Sequence, residues 1–117
     1  MTIDELIDEA SEIREYFWFI QTFKVTDRTD ATVTLHFAIS SDLFVQIFFS
    51  QRSGRCSLTL VGNAGRLYGR DRENGVWHRH PFGQPEKHEP TPEGMSPQPI
   101  TQFLSEVGKI LIENDLI

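Results

Sequence analysis

The chain has 117 residues, a net charge of −6, 38% hydrophobic residues and nine Phe. That is enough apolar side chain for one buried core, expected as a single domain over residues 1–117. It argues against a disordered chain, and the net charge argues against a generic nucleic-acid coat. Cys56 is the only cysteine, so no disulfide forms within the chain. With an acidic, amphipathic start in place of a signal peptide, the expected location is the cytoplasm. The longest apolar run, Leu43 to Phe49, holds Gln46 and is far too short for a bilayer, so no membrane association is expected.

Thr2 followed by Glu5 is a capping-box pattern, in which each side chain satisfies the other residue's free backbone N–H. Ile3, Leu6, Ile7, Ala10 and Ile13 then fall on one stripe, which predicts a first helix from about Ile3 to Glu15 with an acidic outer face. From Tyr16 the period becomes strand-like: Phe17 to Thr26 is aromatic and β-branched, and Asp27 to Asp30 reads as a turn. Val33, Leu35, Phe37 and Ile39 alternate with polar residues, a half-buried strand on whose polar side His36 reads as structural or solvated. After Ser40 to Asp42, Leu43, Val45, Ile47 and Phe49 point one way while Phe44 and Phe48 point the other. A strand apolar on both faces is central, or it meets a second copy of the chain.

Ser53-Gly54 and Gly62 to Gly65 mark the next turns, and Asn74-Gly75 is a two-residue hairpin signal, since a type I′ turn needs positive φ at both centres. Residues 82–99 carry five prolines and two glycines and are expected to be a loop without sheet or helix. A last helix begins near Pro99, with Ile100, Phe103, Leu104, Val107, Ile110 and Leu111 as its stripe and Gly108 as a weak point that permits close packing. The expected class is therefore α+β, an antiparallel sheet of about five to six strands flanked by an N-terminal and a C-terminal helix. Both helices are expected on one face of the sheet.

Charge is distributed unevenly. Residues 1–15 carry six acids against Arg14, whereas residues 52–80 carry six arginines against Asp71 and Glu73. That basic segment is either a candidate anion-binding face or a set of solvated strand arginines. The register dictated by Asn74-Gly75 pairs Glu73 with Val76, Arg72 with Trp77, Asp71 with His78, Arg70 with Arg79, and Gly69 with His80. Alternation then places Leu67, Gly69, Asp71, His78 and His80 on one face, and Tyr68, Arg70, Arg72, Trp77 and Arg79 on the other.

A carboxylate beside imidazoles is the material of general acid–base chemistry, since Asp fixes the tautomer of His and His titrates near neutrality. One imidazole as base and one as acid are what transfer from a ribose 2′-hydroxyl to the adjacent phosphate requires. On this reading Asp71 orients His78, His78 is the base, and His80 is the acid or phosphate donor. Arg70 and Arg79 contact RNA phosphates, and Tyr68 and Trp77 offer stacking surfaces. Two alternatives stand beside it. Asp71 and His78 form a satisfied pair that only holds the hairpin, or His78 and His80, with His88 or Asp71, bind a divalent metal. The expectation carried forward is a site without metal or other cofactor.

The stretch Leu67-Tyr68-Gly69-Arg70-Asp71, the turn containing Gly75, and His78-Arg79-His80 resemble the TumE-like toxins of toxin–antitoxin pairs. Those proteins carry an Asp-Asn pair, a short turn containing Gly and then His-x-His, followed by a variable segment and a C-terminal helix. Here the corresponding helix reads Gln102-Phe103-Leu104-Ser105-Glu106-Val107. The match covers about the last half of the chain, and it departs where Arg72 stands in place of Asn. The resemblance implies an RNA-cleaving or growth-inhibiting toxin held by a cognate antitoxin, with Asp71, His78 and His80 as its motif positions. The competing expectation is a non-catalytic interaction module acting as a homodimer through Phe44 and Phe48.

Overall fold

The structure, a computed structural model, describes residues 1–92, 94–95 and 97–117. Thr2 caps helix α1 (Ile3–Ile13): its Oγ1 accepts from Glu5 N–H at 3.1 Å, and Glu5 Oε1 accepts from Thr2 N–H at 3.1 Å. A 3₁₀ turn, Arg14–Tyr16, follows. The sheet then runs as β1 (Thr22–Arg28), β2 (Thr32–Ala38), β3 (Phe44–Ser50), β4 (Cys56–Gly62), β5 (Gly65–Glu73), β6 (Val76–His80) and β7 (Glu89–Pro90). Helix α2 (Pro99–Glu113) closes the molecule, with proline in its first turn.

Among the described residues the seven strands are antiparallel and lie side by side in chain order, β1 to β7, as an uninterrupted meander. The α+β class and the two flanking helices are as the sequence indicates, with one strand more than expected. The extra strand is β7, inside the segment expected to be a plain loop. Its two residues pair with His78 and Arg79, and Pro90 is tolerated because β7 is an edge. The first strand also starts later than the aromatic pattern implies. Phe17 to Ile20 form an irregular link that packs Phe19 into the core while Tyr16 and Trp18 stay exposed.

One face of the sheet is covered. Val33, Leu35, Phe37, Val45, Ile47, Leu58 and Leu60 meet Ile3, Leu6 and Ala10 of α1 and Ile100, Phe103, Leu104, Val107 and Leu111 of α2 in one core. Each such side chain contributes roughly 1.5–3 kcal/mol relative to exposure. Gly108 permits the close packing its place in α2 implied: a Cβ there would lie 3.4 Å from Phe19 Cε2. The other face carries Phe44, Gln46, Phe48, Ser57 and Thr59, half-buried and without a covering helix. Among the described residues no helix is long and apolar enough to cross a membrane.

A bulge decides which face the hairpin chemistry occupies. Gly62 pairs with Gly65 and Val61 with Arg66, but Leu60 pairs with Tyr68, so Leu67 is left over in β5. If the ladder ran straight, the rest of β5 would shift by one residue and Asp71 would fall opposite Cys56, under the helices. With Leu67 absorbed, Asp71 lies opposite Ser57 on the open face.

Candidate functional site: a histidine cluster on the open face

Asn74 and Gly75 adopt φ values of 53° and 76°, the positive angles a two-residue turn needs. Their hairpin has the register expected from sequence, from Glu73 opposite Val76 to Gly69 opposite His80. Side-chain partners do not follow that ladder. Asp71 lies opposite His78, yet its Oδ2 is 2.8 Å from His80 Nε2, a diagonal contact. The site expectation is corrected here: Asp71 orients His80, not His78. Diagonal neighbours on one face are within reach of longer side chains, and Gly69, opposite His80, puts no side chain in the way.

The pair is held at both ends. Ser57 Oγ donates to Asp71 Oδ1 at 2.9 Å, and His80 Nδ1 lies 2.9 Å from the carbonyl oxygen of Pro85. A carbonyl only accepts, so Nδ1 carries a proton and donates it. Nε2 then faces Asp71 either as the second donor of an imidazolium or as acceptor of a carboxyl proton. His80 is 2% exposed, sealed by the segment that folds back over β6. The same segment brings in His88, whose ring stands edge-on to His80 at 4.3 Å and 5.3 Å from the ring of His78. His78 is half-buried and His88 exposed, so these two form the accessible rim. Arg66 Nη1 adds positive charge 3.9 Å from Asp71 Oδ2, its side chain lying over Gly69.

The four residues expected to bind nucleic acid are on the other face. Tyr68 and Arg70 are each 6% exposed and lie under α2. Glu106 accepts from Tyr68 Oη at 2.6 Å, from Arg70 Nε at 3.1 Å and from Arg70 Nη2 at 2.7 Å. Tyr68 and Arg70 are therefore structural, with no surface to offer a phosphate or base. Trp77 packs against the core, and Arg79 is engaged by Glu89 at 3.1 Å. The cation beside the histidines is Arg66, which sequence reasoning passed over as a site residue together with Ser57, while His88 was weighed only as a metal ligand. Arg66 and Ser57 carry a signal only once the Leu67 bulge is known, and His88 only once the path of its loop is known.

No family model, curated protein or solved structure matches the chain. What defines the site is its geometry: three imidazoles and a carboxylate gathered on the open face of a meander sheet.

Proposed function

We propose that the chain is an RNA-cleaving domain whose reacting centre is the Asp71, His78, His80 and His88 cluster. The observation that carries this is an accessible imidazole, His78, and a fixed one, His80, both in ring contact with His88. His80 is clamped by Asp71 and Pro85, and Arg66 stands nearby. His78 takes the proton of a ribose 2′-hydroxyl, whose oxygen bonds to the adjacent phosphorus as the bond to the 5′-oxygen breaks. That 5′-oxygen leaves with a proton from solvent water, because His80, expected as the acid, is buried with both ring nitrogens engaged. The charge that develops on phosphate is met by the cluster around His80 and by Arg66. An open rim on a sheet suits a polymer better than a small metabolite, which pockets usually enclose. The likeness of residues 67–80 and 102–107 to TumE-like toxins points the same way, toward a growth inhibitor held by an antitoxin.

The test is cleavage of a mixed RNA pool by the purified protein. His78→Ala is expected to lower the rate by about 10²–10⁴-fold while the protein stays folded, because that ring is half-buried and its described side-chain contact is with His88. An unfolded variant, or equal cleavage by both proteins, would sink the assignment.

A second reading has an observation of its own. Phe44 stacks on His36 at 4.6 Å, and Phe48 lies under Arg55 at 5.8 Å, both on the uncovered face. That face fits an interaction module, with a second copy of the chain or a partner protein as its occupant.

A further inference from the structure

We infer that Asp71, His80 and His88 form a binding site for a divalent transition-metal ion, zinc or a first-row neighbour. The inference uses the cluster of the proposed function and supplies that reading with its cofactor, but the binding claim stands on geometry alone.

One ligand atom from each of the three side chains lies within 4.8 Å of the others. A metal with bonds of about 2.0–2.2 Å needs ligand atoms roughly 3–3.5 Å apart. Asp71 Oδ2 and His80 Nε2, at 2.8 Å, need only open slightly. His88 is exposed, and its ring already stands 4.3 Å from that of His80.

The surroundings already do what a metal's outer partners do. His80 donates a hydrogen bond from Nδ1–H to Pro85 O, which fixes the ring and leaves Nε2 as the ligand atom. Ser57 Oγ holds Asp71 Oδ1, which leaves Oδ2. Hydrogen bonds of this kind orient ligands and raise their basicity. Burial of His80 means that one ligand is in place before any ion arrives.

Two imidazoles and a carboxylate favour zinc, iron(II), cobalt or manganese over magnesium and calcium, which prefer oxygen on all sides. Three protein ligands leave coordination positions open for water or a phosphate oxygen. His78, outside the triad, keeps its part as base. Arg66 opposes the ion's charge, 3.9 Å from Asp71 Oδ2, with its side chain 39% exposed.

The experiment is calorimetric titration of the full chain, stripped with chelator, using zinc alone, with cobalt and its visible spectrum as a second probe. The wild-type protein is expected to bind one equivalent with a tetrahedral or five-coordinate cobalt spectrum. His88→Ala, at an exposed position, and Asp71→Asn should both abolish stoichiometric binding. Ser57→Ala should weaken it by about 10–100-fold, and Arg66→Ala should tighten it. His36→Ala, on β2 and bonded to Gln46, is the control for adventitious binding and should change nothing.

Absence of stoichiometric binding, or equal binding by wild type and His88→Ala, overturns the assignment. Metal bound without any RNA cleavage keeps the site and removes the proposed function. Cleavage by a protein that binds no metal keeps the function and overturns the site.

Discussion

Arg70 shows how one buried charge governs its neighbourhood. Burial works against its guanidinium, but the hydrogen bonds and charge of Glu106 outweigh that and raise its pKa. Removing one partner of such a pair leaves the other charge stranded, so Glu106→Ala should cost about 3 kcal/mol in urea unfolding. Tyr68 belongs to the same network. Burial, then the hydrogen bond to Glu106, pushes its phenol from 10.0 up to about 12. The folded state thus prefers the neutral phenol, and that preference is fully present below pH 10. As pH rises from 10 toward 12 the unfolded chain ionises first and gains. The stability advantage of wild type over Tyr68→Phe should therefore shrink across that range; a constant difference would contradict the network. Cys56, also pushed to about 12 by burial, should be inert to thiol reagents until the protein unfolds.

The hairpin and its bulge act as an element, and they separate what was legible in the sequence from what was not. Asn74-Gly75 fixed the β5–β6 ladder because few residues accept positive φ, and local backbone chemistry of that kind is written in two letters. The orientation of the hairpin was not, because it depends on Leu67 being absorbed as a bulge in the β4–β5 ladder and on a counter-charge, Glu106, supplied from 36 positions away. Arginines alternating with aromatics look like a binding face until a helix is known to cover them. The partner of Asp71 escaped for a related reason: a ladder names the opposite residue, whereas the side chain took the diagonal one. Deleting Leu67 tests the account. Tyr68 would still pair with Leu60, and Arg66 and Tyr68 would alternate correctly. The variant should keep the histidine cluster and lose only the packing of Leu67 near Gly62 and Leu43. Loss of the cluster would mean that the bulge sets more than the register.

At the scale of the whole molecule the asymmetry of the sheet dominates. Two helices close one face, and the other presents Phe44, Phe48 and the histidine cluster together. If that face is an interface between copies, sedimentation should show a mass that rises with concentration. Phe48→Ser should hold the protein monomeric at little cost to its own fold, because the side chain lies outside the core. A wild-type protein that stays monomeric at high concentration would rule out a second copy of the chain as the occupant of that face.

The chain-order meander has a consequence for synthesis on the ribosome. Each strand from β2 onward emerges to find its partner already made, so the sheet can grow in the direction of translation. Its inner face, however, waits for α2, the last element, and Arg70 waits with it, because Glu106 follows 36 residues later. Until then an apolar surface carrying Arg70 without its carboxylate is open to the cell. That interval is the nascent protein's period of greatest exposure to aggregation and to chaperones. The arrival of one helix, and one carboxylate on it, ends it.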